Sequence, residues 1–298
     1  MLDYAALAAP HAVVREGSFE RAARALHVSP SAVSQRVRLL EERMGGALVV
    51  RGQPCTATDA GRRLCQHVEQ VRLMEHDLGA ALPALDADGA APARATLPIA
   101  VNADSLATWF TPGVATFAAQ APVLLDIAVD DQDHTAERLR SGAVLAAVTA
   151  LAQPAAGCSV RPLGAMRYVA AASPDFIARH FAQGVGARTL AEAPSLLFDH
   201  KDQLQARWAR RVCHRAVVLP QHRLPSSHAF VEAARAGMGW GLHPQALAAP
   251  ALADGSLVEL LPGAVLDVPL FWQHARAAST LLAGLTAAVA QAARAALR

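Results

Sequence analysis

Between Gly17 and Met44 the chain reads GSFERAARALHVSPSAVSQRVRLLEERM, and no other run restricts the fold as tightly. Ser18 is placed to cap a helix in which Ala22, Ala23 and Leu26 leave a small-residue face that a second helix can approach closely. His27, Val28 and Ser29 leave room only for a short turn. Ser29 then caps the next helix, with Pro30 in its first turn, where a missing N–H costs nothing. The unit spelled is helix, tight turn, helix. At about 100° per residue, Val33, Val37, Leu40 and Met44 fall within one arc of the second helix, the arc that must be buried. Ser31, Ser34, Gln35 and Arg38 fall on the opposite side.

That outward edge suits entry into the major groove of duplex DNA. Small residues sit near its N-terminus, Gln35 can pair with adenine, and Arg38 can meet guanine or phosphate. A merely solvated face more often carries Glu and Lys. Glu42 shares the side but lies late in the helix, past the groove. Downstream, LVVRGQPCTATDAG (48–61) reads as a two-stranded wing with Arg51 and Gln53 at its tip, in reach of phosphate or minor groove. Pro10 lies within the first apolar stretch, so the first helix is expected to start after it or to bend there.

From Asp59 to Leu85 apolar residues recur at Leu64, Val68, Val71, Leu78 and Leu82, the stripe of a long helix capped by Thr58. Pro83 and the stretch DADGAAP end it in a linker. Its seam packs on a second copy or, alternatively, on its own chain. Beyond the linker, β-like runs at 97–104, 123–131, 144–150, 195–199, 216–220, 240–244, 257–262 and 269–272 alternate with helical segments, which spells α/β with largely parallel sheets. Some 200 residues are too many for one such sheet. Two lobes crossed twice by the chain are expected, with a final helix over Ser279–Leu297 returning to the first. The division expected is a DNA-binding domain over 1–58, a linker helix and hinge over 59–90, and an effector domain over 91–298. Lobe I takes 91–162 and 268–298, and lobe II takes 163–267.

In such lobes ligands bind beyond the carboxyl ends of strands. Candidate liners are Asn102, Asp104 and Ser105 after the first strand, Asp130 and Asp131 after the second, Thr149 after the third, and Asp199 with His200 in the second lobe. Ser226 and Ser227 open a further helix whose free N–H groups suit an anion. Asp104, Ser105 and Ser227 read equally well as helix caps, and Asp130, Asp131 and Asp133 as a solvated turn. His134 and His200 read as surface residues, or as supports behind the residues that touch ligand, rather than as metal ligands.

Composition removes other classes. The net charge of +2 does not by itself advertise nucleic acid, and 53% hydrophobic residues exclude a disordered chain. Cys55, Cys65, Cys158 and Cys213 are scattered, without zinc or disulfide spacing, so neither a metal nor another cofactor is expected. No signal peptide and no uncharged run near the ~18 residues of a membrane span is present, so a soluble cytoplasmic protein is expected. The catalytic motifs G-x-S-x-G, P-loop, G-x-G-x-x-G and H-E-x-x-H are absent, which argues against an enzyme. A transport solute-binding protein would not carry the N-terminal 90 residues. A nucleoid-type protein binding DNA with little preference is the nearer rival, as is a regulator with a different small-molecule effector.

The run from Glu16 to Gly61, with AARALHVSPSAVSQRVRLLEERMG, a wing and T-x-A-G opening a long helix, resembles the winged helix-turn-helix of LysR-type transcriptional regulators. The resemblance spans essentially the whole chain. It implies an α+β multidomain protein with a dimerising linker helix and a two-lobed effector domain like periplasmic binding proteins. VVREGSFERAARALHV, LVVRGQPC, VNADSLATWF (101–110), LGAMRYV (163–169) and FDHKDQL (198–204) are similar to the arginine/lysine-responsive branch, regulators of basic amino acid export, some described as inhibitors of chromosome initiation. The partners implied are a double-stranded operator, a basic amino acid such as Lys or Arg, a homodimer or homotetramer, and RNA polymerase. Carboxylates beside helix N-termini suit such a zwitterion, because acids take its cationic groups and free N–H groups its carboxylate.

Overall fold

The computed structural model describes residues 3–82, 95–121, 123–129, 135, 138–139, 143–276 and 280–298. The N-terminal unit packs α1 (Tyr4–Glu16), α2 (Phe19–Ala25) and α3 (Pro30–Met44) against the hairpin of β1 (Val49–Val50) and β2 (Thr56–Ala57). Its core holds Leu7, Ala12, Val13, Ala22, Ala23, Val33, Val37, Leu40 and Leu48. Of the two alternatives the late start is excluded, because α1 starts at Tyr4 and carries Pro10 in its interior. The Asp3 side chain accepts from the Ala6 N–H, and Leu7 to Val13 bury all but one contiguous side chain, so packing outweighs the ~3 kcal/mol that an interior proline costs.

The long helix α4 (Asp59–Ala81) belongs to two cores. Leu64 and Val68 join the N-terminal core, and Leu73 is buried in the core of the C-terminal domain. Glu69 pairs with His11 of α1. Burial pushes the Glu69 carboxyl up, but the His11 hydrogen bond and charge, with Arg72 and Arg15 behind them, hold it below the usual range. At the far end the Asp77 carboxylate accepts from the Thr280 N–H at 2.9 Å. The first half of the predicted seam is therefore covered by the helix's own chain, whereas Met74, Leu78 and Leu82 are about half exposed. The expected continuation from Pro83 and the linker lies outside the described residues.

The C-terminal domain is built on a mixed sheet of order β10-β6-β11-β5-β3-β4, with β9 also paired to β6. Its strands are β3 (Ala95–Val101), β4 (Val123–Val129), β5 (Ala146–Thr149), β6 (Cys158–Ala172), β9 (Gly241–Pro244), β10 (Val258–Glu259) and β11 (Leu266–Ala275). Strands β3, β4 and β5 are parallel, as expected for a first lobe. Strands β6 and β11 are long antiparallel partners, and β9 and β10 pair antiparallel with β6, so the expectation of largely parallel sheets holds only on one side. The long pair is where the chain crosses between lobes, and its register shifts between Leu270 and Phe271.

Helices cover the sheet. After β3 come α5 (Ala103–Ser105), a π-helical turn (Leu106–Phe110) and α6 (Thr111–Gln120). The second lobe adds α7 (Pro174–His180), α8 (Ala187–Glu192), α9 (Leu204–Cys213), α10 (Ser227–Arg235) and α11 (Gln245–Ala253), with β7 (Ser195–Leu197) parallel to β8 (Gln221–Arg223). Helix α12 (Thr280–Ala296) returns to pack on α6 of the first lobe. The run 216–220 is not a strand. Val218 is 90% exposed, and the pairing passes instead to the polar residues 221–223, which follow Pro220 and reach the free edge of β7. The four cysteines are unpaired thiols. No described helix is long and apolar enough to cross a membrane.

Candidate functional site

Two surfaces stand out, and the first is the outer edge of α3. Ser29 caps this helix, its Oγ accepting from the Ala32 N–H, and Gly45 ends it in the left-handed region at φ +71°. Val33, Val37 and Leu40 are buried while Ser31, Gln35 and Arg38 are exposed and Ser34 is half-buried. Met44 is 51% exposed rather than buried. It is the last helical residue, past the point where α3 contacts the core, and lines a groove between α1, α3 and α4. Glu42 is not an idle late residue. It accepts from Arg38 Nε at 2.8 Å and so raises the guanidinium's hold on its proton while fixing its direction.

The wing is fastened to α3 by Glu41, whose Oε1 accepts from the N–H groups of Leu48 and Val49 at 2.8 and 3.1 Å. Thr58 caps α4 through the Gly61 N–H and donates to the Ala47 carbonyl at 2.8 Å. The T-x-A-G run is thus a junction that pins the start of α4 to the wing. Arg51 and Gln53 are exposed in the β1–β2 connection, and the Arg51 guanidinium sits 5.1 Å above the Phe19 ring. This stacking, which spacing did not reveal, holds a wing cation beside the N-terminus of α2.

The second surface is a cavity of about 490 Å³ between the lobes, at the carboxyl ends of β3, β4, β5 and β7 and the N-terminus of α10. Asn102, Asp104, Asp199 and Ser227 line it, joined by Tyr168, Asp202, Lys201 and Arg207, none of which was singled out from the sequence. Asp104 is the most connected group. Its Oδ1 accepts from Ser227 Oγ at 2.6 Å and its Oδ2 from the Tyr168 hydroxyl at 2.7 Å, so one carboxylate from α5 is held by hydroxyls from β6 and α10. Burial pushes this carboxyl above its ordinary range, and the two hydroxyls act the other way. Burial and the nearby Asp104 charge push the Tyr168 phenol well up, so it remains a donor at neutral pH.

The other end of the cavity is a carboxylate-built loop. Asp199 Oδ1 accepts from the N–H groups of Lys201 and Asp202, and Asp202 accepts from those of Phe198 and Leu204. Burial raises the Asp202 carboxyl against the pull of these hydrogen bonds, and the Asp104 charge adds to the rise. Asp104 and Asp202, two carboxyls raised by burial and facing one space, make a site that gains from an incoming cation. Asn102 also lines the cavity, and its side-chain carbonyl oxygen is buried without a hydrogen-bond partner.

The remaining predicted liners fall elsewhere. Ser105 is fully buried under the π-helical turn, and Thr149 is buried with its Oγ1 accepting from the Leu151 N–H. His200 is exposed on the loop, and Ser226 turns its Oγ back onto the Ala229 N–H as the cap of α10. On α10 helical periodicity explains the split: Ser227 and Phe230, three positions apart, line the cleft, while Ser226 is spent as the cap. Asp130, Asp131, Asp133 and His134 lie outside the described residues.

A winged helix-turn-helix joined through a long helix to a two-lobed, periplasmic-binding-like α/β domain is the class this architecture defines. Residues 5–62 match the model of the bacterial regulatory helix-turn-helix protein, lysR family, and residues 90–294 that of the LysR substrate binding domain. The chain belongs to the LysR family of transcriptional regulators. It is 50% identical over 286 residues to the HTH-type transcriptional regulator ArgP of Pseudomonas aeruginosa, covering 96% of this chain and 94% of that protein. The crystal structure of ArgP from Mycobacterium tuberculosis is similar over 100% of this chain and 99% of that one, with 46% identity and a TM-score of 0.82. Full-length LysG from Corynebacterium glutamicum with bound effector Arg is similar over 100% of both chains, with 39% identity and a TM-score of 0.72.

Proposed function

We propose that this protein is a cytoplasmic, sequence-specific DNA-binding regulator that responds to a basic amino acid, arginine or lysine, and controls an amino acid exporter or related gene. One observation carries the effector reading: the cleft between the lobes sets Asp104 and Asp199 around one cavity, the charge a cationic ligand requires. The similarity to LysG with bound Arg supports the same ligand class. In this reading Asp104, Asp199 and Asn102 receive the cationic groups and the N-terminus of α10 at Ser227 receives the α-carboxylate. Asp130 and Asp131 remain candidates.

Ser31, Ser34, Gln35 and Arg38 read bases in the major groove, and Arg51 and Gln53 reach the backbone or minor groove. The working division is 1–58 for DNA, 59–90 for dimerisation and 91–298 for the effector. Two copies pair through the half-exposed seam of α4 and present two α3 helices to half-sites, with tetramers and polymerase contacts building on that unit. Effector acts by favouring whichever lobe arrangement binds it better.

Titration calorimetry with Arg, Lys and His tests the effector. Heat and a raised melting temperature with Arg or Lys are expected, and silence with all three overturns it. For DNA, Gln35→Ala and Arg38→Ala are each expected to reduce the preference for the operator over random DNA by about 1–3 kcal/mol at fixed salt, with folding intact. Equal affinity of the wild type for both DNAs would instead select a nucleoid-type protein.

A further inference from the structure

We propose that Tyr168 is a positioning residue for effector recognition: from β6, together with Ser227 from α10, it holds the Asp104 carboxylate as the anion to which the effector's cation is drawn. The inference rests on the basic-amino-acid reading of the cleft and adds to it the residue that makes its main anion serviceable.

Tyr168 is buried, its ring forms part of the cavity wall, and its hydroxyl spends its proton on Asp104 Oδ2 at 2.7 Å. Ser227, also buried, spends its own on Oδ1 at 2.6 Å. Both carboxylate oxygens therefore receive one donor each and keep their remaining lone pairs for a ligand. The three residues come from α5, β6 and α10, separated by 64 and 123 positions in the chain. Asp104 is thus correctly aimed only while the two lobes stand as they do here.

Across the cavity the charged groups are Asp199, Lys201 and Asp202 on the 198–204 loop and Arg207 on α9. Burial disfavours the charge on Asp104, and the Asp104 charge in turn adds to the rise of the Asp202 carboxyl. Against burial, the two hydroxyls pull the Asp104 carboxyl down, since hydrogen bonds to a charged form favour it. A cation binds the ionised form, so effector affinity rises with pH from above the ordinary aspartate value of 3.8 and levels off once Asp104 is fully charged. Removing the Tyr168 hydroxyl leaves the carboxyl more reluctant to ionise, which displaces the rise to higher pH.

The test is calorimetric titration of the full-length protein with L-arginine from pH 5 to 8, for wild type, Tyr168→Phe and Ser227→Ala. Tyr168→Phe is expected to bind about tenfold more weakly near the acid end, less so at pH 8, with the midpoint of its pH profile about one unit higher. Ser227→Ala keeps the question open to measurement should the phenylalanine variant fail to fold, with the same direction of shift expected. A uniform loss of affinity with an unmoved midpoint would make Tyr168 a packing residue and overturn the proposal while leaving the effector reading intact. Absence of arginine binding by the wild type at every pH would overturn both.

Discussion

Gly61→Ala is expected to lower the melting temperature of the N-terminal winged helix sharply and to weaken DNA binding. A glycine in the first turn of an exposed helix is ordinarily a site where alanine gains up to about 1 kcal/mol. Here the sign reverses. A Cβ on Gly61 would lie 2.0 Å from the Leu48 carbonyl oxygen and 2.9 Å from its carbonyl carbon. That carbonyl has nowhere to go, because it accepts from the Thr58 N–H at 3.0 Å while the Leu48 N–H is held by Glu41. Relief requires α4 to part from the wing, with loss of the Thr58 cap and of Leu64 and Val68 from the core. The cost is about 3 kcal/mol or more, against a total stability of roughly 3–9 kcal/mol for a unit of this size. Circular dichroism melting should show an early transition absent from the wild type, with the transition of the C-terminal domain retained. A variant that melts and binds DNA like the wild type would mean that the T-x-A-G junction tolerates separation.

His243 is expected to make the second lobe acid-labile by roughly 3 kcal/mol. It lies in β9, fully buried, with its ring centroid 5.3 Å from that of Phe230 of α10 in an edge-to-face contact. Burial pushes the imidazole from 6.5 down to about 4, only partly offset by the Ala171 backbone. A folded-state value below the unfolded one means that the stability is fully present above pH 6.5 and is lost as pH falls from there through about 4, because the unfolded chain takes the proton first. At about 1.4 kcal/mol per pH unit the gap amounts to the figure given, without discount for solvent because the ring is fully covered. Urea unfolding at pH 7 and pH 4 should therefore show a smaller acid loss in His243→Leu than in the wild type. Equal losses in the two proteins would place the acid sensitivity elsewhere.

The helix-turn-helix was legible because each of its signals is local. Caps at Ser18, Ser29 and Thr58, the proline at position 30 and the arc of Val33, Val37 and Leu40 act within a few residues of one another, and all appear where read. Strand β6 was not legible as one element. The expected lobe boundary at 162/163 falls inside it, and Pro162 lies where the partner strand shifts register, a place that tolerates a missing N–H. The run 216–220 shows the converse: β-branched residues suggest a strand, but no partner edge is offered to them, and Val218 stays in solvent.

Caps, helix faces, strand ends and the presence of acids near them were determined by the amino-acid order alone, since they depend on backbone periodicity and nearest neighbours. The tertiary structure alone decided which acids share a cavity and what holds them. Tyr168 and Ser227 reach Asp104 from remote parts of the chain, and whether a long helix's seam meets its own core or remains open, as at Leu64 against Leu78, depends on how the lobes are set. A side chain's neighbours across a fold are fixed by packing, and packing has no signature within any short window of residues.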